Sequence, residues 1–199
     1  MDKTRTLSSL LTLFESPEAL CLARIDDLVD QGLAVEMAAQ VAAGPDHRLR
    51  QRIDMDLAWL DEPNHHLLVP HNNLFPPLLR EIHDPPPLLF VDGHVELLQG
   101  DQFAIVGSRR NSLSGRKVAM QLAADLSRAG LTITSGLALG IDAAAHMGAL
   151  EAEGCTIAVM GTGCDMDYPA TNAALAQRIR KSGVIVSEFP LGTHAFPHY

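Results

Sequence analysis

The amino-acid sequence predicts an α/β protein in which a Rossmann-like parallel sheet flanked by helices follows a small helical domain. From residue 101 onward, strand-like runs alternate with helical runs and short glycine turns join them, which is the pattern of right-handed βαβ units. Apolar residues make up 47% of the 199 residues but aromatic residues only 5%, so the core must be aliphatic and alanine-rich, which suits α/β layers. Residues 4–60 carry apolar residues at helical spacing, which predicts the preceding helical domain.

The first segment, residues 1–61, is predicted to be this small helical domain. Ser16 followed by Pro17 is a typical helix start, with a serine cap and proline in the first turn. A later helix is predicted to have one apolar face, formed by Leu49, Ile53, Leu57 and Leu60. Residues 1–100 hold seven lysines and arginines against sixteen acidic residues, so this half carries the whole net charge of −9. Such an acidic segment suits packing, or docking against another protein.

Residues 62–100 are predicted to be a proline-rich connector with short strands, packed on the domain that follows. The apolar runs at 67–69 and 88–91 suggest edge strands. Asp92-Gly93 then precedes a third apolar run at 95–98, and a two-residue turn of this kind between apolar runs predicts a hairpin.

Residues 101–199 are predicted to form the Rossmann-like domain. Its four strands are expected at residues 103–106, 131–134, 156–160 and 184–187, and its three helices at 112–129, 141–153 and 170–181. In open parallel sheets, ligands bind beyond the carboxyl ends of the strands. The candidate functional residues are therefore those that follow each strand.

Glycines and polar residues follow all four predicted strands. Glycine lets the backbone approach a ligand, amides at the following helix N-termini attract anions, and Arg109 supplies a planar, permanently charged guanidinium suited to phosphate. Four such turns in register predict one phosphate-binding edge. The candidate binding residues are Gly107, Ser108, Arg109, Arg110, Ser135, Gly136, Gly140, Ile141, Asp142, Gly161, Gly163, Asp165, Tyr168, Pro169, Asn172, Ser187 and Glu188.

A second set of basic residues lies on the predicted helices. Residues 101–199 carry eight basic and eight acidic residues, and a neutral domain with local basic patches can still hold a phosphate backbone. The predicted secondary patch consists of Arg116, Lys117, Arg178, Arg180 and Lys181.

The turns lack the motifs of common nucleotide cofactors and of catalysis. No G-x-G-x-x-G follows the first predicted strand and no P-loop is present. The sequence therefore lacks the motifs with which proteins usually bind NAD or, through a P-loop, ATP. Ser135 and His146 could form a nucleophile–base pair. The favoured interpretation is structural, with Asp142 stabilised at a helix N-terminus and His146 packed one turn behind it. The residues themselves therefore give little support for catalysis, although Glu188 could act as a base.

Metal, disulfide and membrane chemistry are also not expected. The three cysteines show no C-x-x-C spacing, which predicts reduced thiols in the cytoplasm. His65, His66 and His71 have no carboxylate or cysteine nearby that completes a ligand set. No run of about 18 apolar residues exists, and the first 15 residues are interpreted as a helix because no signal-peptide cleavage site follows them.

The strand-end motifs resemble those of the DprA/Smf family of DNA-processing proteins. FAIVGSR at 103–109 and SGLALGIDAAAH at 135–146 resemble the first two motifs. GxGxDxxYPxxNxxL at 161–175 and SEFPLG at 187–192 resemble the next two. FPPLLREIHDPPPLLFVDG at 75–93 is similar to the stretch that leads into that domain in the family, and residues 4–60 fit its sterile-alpha-motif-like or helix-hairpin-helix region.

The resemblance implies single-stranded DNA binding in the Rossmann-like domain and handover of the strand to the RecA recombinase, without catalysis or a small-molecule cofactor. It implies that Arg109 contacts DNA, and that the full-length protein is a homodimer in the cytoplasm. Residues 196–199 stand where the family continues into an F-P-x-R-N-R segment, so we expect a truncated domain. The N-terminus also lacks the family's usual G-I-G-type turn.

One enzymatic alternative is a nucleotide phosphoribohydrolase of the lysine-decarboxylase-like Rossmann group. Glu188, near the strand ends, would be its candidate base. The P-G-G-x-G-T turn of that group is absent, the nearest stretch being Met160-Gly161-Thr162-Gly163.

Overall fold

A computed structural model describes residue 14 and residues 16–195. The predictions that concern residues 1–13, residue 15 and residues 196–199 lie outside the described residues. The chain divides into two compact units. One comprises the described residues up to 59 together with 83–87, and the other comprises 60–82 and the described residues from 88 onward.

The N-terminal unit is helical. Ser16 caps the first helix as its sequence predicts, because its Oγ accepts a hydrogen bond of 3.1 Å from the amide of Ala19. Leu20, Leu28, Leu33 and Ala38 form a small core. The last helix of the unit has no buried residue, so the apolar face predicted for it is left partly exposed. The helices are α1 (Pro17–Leu22), α2 (Ile25–Asp30), α3 (Val35–Ala43) and α4 (His47–Leu60).

The second unit is built on a six-stranded mixed sheet. The strands are β1 (His65–Leu68), β2 (Leu89–Gly93), β3 (Gln102–Ala104), β4 (Thr132–Ser135), β5 (Thr156–Val159) and β6 (Val184–Ser187). Their order across the sheet is β1-β2-β6-β5-β4-β3. The strands β3, β4, β5 and β6 are parallel neighbours, with Ile133 opposite Thr156 and Ile157 opposite Val184. This confirms the predicted Rossmann-like arrangement.

Three helices connect the parallel strands on one face of the sheet. The chain always steps in the same direction from β3 to β6, so right-handed crossovers place all three helices on the same side. Small residues of the first two of these helices, Ala119, Ala144 and Ala149, share a core cluster with Ile105 and Ile133. The helices of this unit are α5 (Pro77–Arg80), α6 (Leu113–Arg128), α7 (Ile141–Glu151) and α8 (Ala173–Ser182).

The connector, residues 62–100, contributes an internal strand to the sheet, whereas its sequence predicts only edge strands. Strand β2 pairs antiparallel with both β1 and β6 and is buried along its whole length, so it is an internal strand and not an edge strand. The predicted hairpin at Asp92-Gly93 is wrong. Residues Val95–Gln99 form a 3₁₀-helix, because Val95 and Leu98 share one face of a helical turn and both enter the core beside Phe75.

Helices α6 and α7 cross with their backbones in close contact at Gly148. A Cβ atom at this position would overlap the carbonyl oxygen of Met120. Because that oxygen belongs to helix backbone, the clash cannot be relieved by a side-chain rotation. We expect Gly148→Ala to lower the free energy of unfolding by about 2 kcal/mol, the usual scale for overpacking, as measured by urea denaturation.

Gly100→Ala is the matched control for that substitution. A Cβ atom at Gly100 would have Leu97 O at 3.8 Å as its nearest contact, so stability should change little. Equal stability of the two variants would show that α6 and α7 can separate without cost.

Within the described residues, no helix combines the length and the apolar character that crossing a membrane requires.

Candidate nucleic-acid interface

The carboxyl ends of β3, β4, β5 and β6 meet along one edge of the sheet, and the four turns that follow them form a continuous surface. We call this surface the rim and define it as residues 107–111, 135–142, 161–172 and 187–193. The parallel pairing of the four strands brings these sequence-distant turns together.

The first two turns of the rim are joined by a buried carboxylate. Asp142, in the first turn of α7, accepts hydrogen bonds from the amide of Gly107 at 3.3 Å and from the amide of Gly136 at 3.1 Å. The sequence predicts Asp142 and these two amides as ligand contacts. In the structure this carboxylate is buried and both N–H groups are bonded to it, which agrees with the structural role that the sequence favours for Asp142.

Gly140 brings the same two turns into backbone contact. The amide of the next residue, Ile141, donates a hydrogen bond of 3.3 Å to the carbonyl oxygen of Ser108. A Cβ atom at Gly140 would overlap that oxygen and lie 3.0 Å from the Cα of Arg109. The backbone of Gly140 has φ +90°, which side chains disfavour. The position of Arg109 therefore depends on a glycine 31 residues away in the sequence.

The third and fourth turns are joined in a similar way. Asp165 accepts the amide of Gly192 with both carboxylate oxygens at 2.9 Å. Gly163 donates its amide to Thr193 O at 3.0 Å. The Ser187 hydroxyl donates to Thr162 O at 2.6 Å. The amide of Gly163 and the hydroxyl of Ser187 are thus used within the protein.

Asn172 connects the third turn to the second. Its side-chain amide donates to the carbonyl oxygen of Leu137 at 2.8 Å and to that of Ala138 at 3.4 Å. With this link, hydrogen bonds join all four turns into one framework.

Burial separates the predicted binding residues into two groups. Those turned inward hold the rim together: Ser135, Asp142, Gly163 and Ser187 are buried, and Ser135 donates its hydroxyl to Ile105 O at 2.6 Å. The partly buried ones are Gly136, Gly140, Ile141, Pro169 and Asn172. The exposed ones are Gly107, Ser108, Arg109, Arg110, Gly161, Asp165, Tyr168 and Glu188.

Cations without acidic partners lie on and beside the exposed part of the rim. Arg109 and Arg110 are exposed on the first turn, and the Ser108 hydroxyl accepts the Arg110 amide at 3.1 Å. Arg116, Lys117 and Arg178 are exposed on α6 and α8. Within the described part of the chain, no carboxylate forms an ion pair with these five side chains. Their positive charge is therefore available to an external anion.

Arg180 does not belong to this basic surface. Its Nε donates to Asp92 at 2.6 Å, its Nη1 to Asp167 at 3.1 Å and its Nη2 to the carbonyl oxygen of Cys164 at 2.9 Å. The same Asp92 carboxylate also faces His65 at 3.4 Å. This ion-pair network links α8 to β2, so Arg180, unlike the other arginines predicted for the secondary patch, is paired with carboxylates. Lys181 is exposed at the end of α8.

The candidate nucleophile–base pair is not assembled. The Ser135 hydroxyl bonds to Ile105 O, whereas Nδ1 of His146 lies 2.7 Å from Thr156 Oγ1. Burial, with Asp92 nearby, raises the pKa of the Cys164 thiol well above its ordinary range, which disfavours a nucleophilic thiolate. In the described residues, no group of three or more histidine, cysteine or acidic side chains could hold a metal ion.

A groove below the rim was missed by the sequence reasoning. It lies over α7, between α6 and α8, and encloses a cavity of about 380 Å³. Its lining includes Ala143 and Met147, which are four residues apart on one face of α7, and Leu139, which precedes that helix. That periodicity was a usable signal, but the pattern alone does not tell a groove from a core.

Comparison with known proteins identifies the family. The sequence profile described as DNA recombination-mediator protein A matches residues 66–199. The chain belongs to this family. This confirms the resemblance to DprA/Smf proteins that the strand-end motifs indicate.

Curated relatives extend beyond this chain. Protein Smf of Escherichia coli K12 is 41% identical over 170 residues, which cover 84% of this chain and 44% of that protein. DNA processing protein DprA of Streptococcus pneumoniae R6 is 44% identical over 121 residues, which cover 61% of this chain and 43% of that protein. The chain thus spans less than half the length of these relatives.

Two solved structures share the fold. The X-ray structure of DprA from Streptococcus pneumoniae superimposes with a TM-score of 0.66 at 32% identity, covering 98% of this chain and 71% of that one. A Helicobacter pylori structure that concerns the single-stranded DNA binding mode of its DNA processing protein A gives a TM-score of 0.60 at 30% identity. It covers 67% of this chain and 59% of that one.

Proposed function

We propose that the rim binds single-stranded DNA without catalysis and without a small-molecule cofactor, as one step of DNA recombination. The observation that carries this proposal is the set of five exposed cations, Arg109, Arg110, Arg116, Lys117 and Arg178, none of which is paired with a carboxylate in the described residues. Uncompensated cations on the rim and on the helices beside it suit a polyanion, since each can neutralise a phosphate and release a counterion.

The geometry favours phosphate contacts over base recognition. The exposed groups on the first turn are guanidinium groups and a hydroxyl, which hold phosphate oxygens without reading sequence. We therefore propose binding with little sequence preference. The Helicobacter pylori relative, whose structure concerns single-stranded DNA binding, supports the choice of a single strand as the ligand.

Arg109→Ala tests the proposal. Arg109 is exposed, unpaired and held in place by the contact of its turn with Gly140. Losing one charged hydrogen bond should weaken binding of a fluorescein-labelled oligothymidylate by about 2 kcal/mol, or about thirtyfold. Fluorescence anisotropy at several salt concentrations should also show a slope of log affinity against log salt that is shallower by about 0.7, the value of one phosphate contact on a single strand.

Arg128→Ala is the matched control for the loss of an arginine on this unit. Arg128 is exposed but pairs with Asp125 at 2.8 Å, and it lies at the opposite end of α6 from the rim, about 24 Å away along a 16-residue helix. Its removal should leave binding unchanged. Equal affinity for single and double strands, or an unaffected Arg109→Ala variant, would contradict the proposal. Release of free base from nucleoside monophosphates would favour the enzymatic alternative.

For the whole protein, we propose handover of the bound strand to the RecA recombinase in the cytoplasm and assembly as a homodimer, with residues 1–61 as an acidic docking domain. These proposals rest on membership of the recombination-mediator family. The test is RecA filament formation on single-stranded DNA. It is measured with the full-length protein, which reports on the handover, and with a variant lacking residues 1–61, which reports on the docking. No stimulation by either protein would refute the handover.

A further inference from the structure

We propose that helix α4 of the N-terminal unit is a self-association surface, on which α4 of a second copy of this chain packs antiparallel about Ile53. This inference goes beyond the proposed function, because it concerns the association of two chains through the N-terminal unit and requires no DNA. The surface consists of Leu49, Ile53 and Leu57, with Arg50 and Asp54 on one flank and Arg52 and Asp56 on the other.

The apolar stripe of α4 is not covered by the core of its unit. Leu49, Ile53 and Leu57 recur every four residues and so lie on one face of the helix. They are 49%, 40% and 55% exposed. The core of the unit lies within residues 14–41, and none of the 14 residues of α4 is buried. A row of exposed apolar side chains on one helical face is typical of a protein-binding surface.

The charges beside the stripe are arranged symmetrically about Ile53 and have opposite signs on its two sides. Residues 49–57 read LRQRIDMDL, so that leucines stand at both ends and each arginine before Ile53 corresponds to an aspartate after it. If a second helix is turned antiparallel about Ile53, Leu49 lies opposite Leu57 of the second copy, and the basic half of each helix lies against the acidic half of the other. A two-fold interface requires a surface that is complementary to itself, and this one is.

The helical geometry brings the opposite charges of the two copies together. At 3.6 residues per turn, Arg50 and Asp54 project on the same side of the stripe. Equal flanks of two antiparallel helices face each other, so Arg50 of one copy lies about 3 Å along the helix axis from Asp54 of the other. The two-fold symmetry repeats this pair. Arg52 and Asp56 form the same arrangement on the opposite flank.

The same charges are poorly placed for pairing within one helix. Arg50 and Asp54 are exposed, and neither forms an ion pair within the described part of the chain. The Nε of Arg50 donates to Pro45 O at 2.9 Å. An acidic residue stabilises a helix best when it precedes the basic residue by four positions, and here the order is reversed. The arrangement therefore favours pairing between two helices.

The contact is small, so the association should be weak. A helix of 14 residues is about 21 Å long, and two such helices bury less than the roughly 1,600 Å² of a standard interface. We expect a monomer–dimer equilibrium with a Kd on the order of 10 µM. Sedimentation velocity of the 199-residue chain without DNA, at low salt and from about 1 to 500 µM, measures it.

Charge reversal at Arg50 and Asp54 tests the pairing. Arg50→Asp leaves two aspartates on this flank, and Asp54→Arg leaves two arginines. Each variant alone should associate about tenfold more weakly than the wild-type chain, because attractive exposed pairs become repulsive. An equimolar mixture of the two variants should form a mixed dimer of wild-type affinity. Both positions are exposed on a helix without buried residues, so folding should be unaffected.

Ile53→Lys tests the centre of the contact, because it places two lysines at the two-fold axis and should leave a monomer at every concentration. Leu22→Lys, at a side chain that is 83% exposed on α1 of the same unit, is the matched control and should retain the wild-type equilibrium. A wild-type chain that stays monomeric, a dimer that survives Ile53→Lys, an equal loss in Leu22→Lys, or a mixture of the charge variants that stays monomeric would each overturn the inference. Arg109→Ala reports on DNA binding independently of all these outcomes.

Discussion

Gly140→Ala is expected to lower the free energy of unfolding by about 4 kcal/mol, because it combines a disfavoured backbone conformation with a backbone clash. Gly140 has φ +90° and ψ −121°, and its missing Cβ leaves room for the carbonyl oxygen of Ser108. The first and second turns would have to separate to admit a methyl group. That movement would displace Arg109, so DNA affinity should fall along with stability. Urea denaturation and anisotropy on the same variant measure both effects.

Gly161→Ala provides the comparison for stability on the same rim. A Cβ atom at Gly161 would meet no heavy atom within 4 Å, and this glycine is not among those with positive φ. Its free energy of unfolding should stay within about 0.5 kcal/mol of the wild-type value, as for ordinary surface substitutions. If Gly140→Ala is as stable as Gly161→Ala, the two turns are not held together by close backbone contact, and the account of the rim is wrong.

The parallel part of the fold was predictable because each of its elements has a strong local signal. Ser112 is the N-cap of the helix of residues 113–128, and its hydroxyl accepts the amide of Gly115 at 3.1 Å. Because serine is a preferred N-cap residue, the sequence itself marks the start of this helix. The connector was harder. Residues 95–98 carry apolar residues that fit a strand or a helical turn equally well, and only the core they enter decides between the two.

The candidate site was predicted in outline but not in its inner contacts. Strand ends can be located from periodicity, so the exposed position of Arg109 followed from the sequence. The burial of Asp142 and the pairing of Arg180 with Asp92 depend on contacts across 35 and 88 residues of chain. Residue type and spacing do not tell whether a carboxylate faces a ligand or satisfies two backbone amides within the turns.

His146 is expected to make the stability of the second unit fall as the pH is lowered from neutral. The ring is fully buried, and burial lowers its pKa from 6.5 to about 4. The folded chain therefore resists a proton that the unfolded chain binds between these two values. The stabilisation is complete above pH 6.5 and is lost as the pH falls towards about 4, and the loss amounts to about 3 kcal/mol.

The hydrogen bonds of the ring explain why protonation is costly. Thr156 Oγ1 donates to Ile133 O at 2.6 Å, so it accepts from Nδ1–H of His146 at 2.7 Å. Nε2 has no partner in the described residues, and a proton there would create a buried charge with an unsatisfied donor.

Replacing the ring with an apolar side chain isolates this effect from the titration of surface carboxylates. Urea denaturation of His146→Leu at neutral pH and near pH 4 should give a smaller loss of stability than the wild-type chain shows. His71→Leu, at an exposed histidine of the same unit, should retain the full wild-type loss. An unchanged pH dependence in His146→Leu would mean that the buried ring accepts a proton as readily as an exposed one, against the geometry around Thr156.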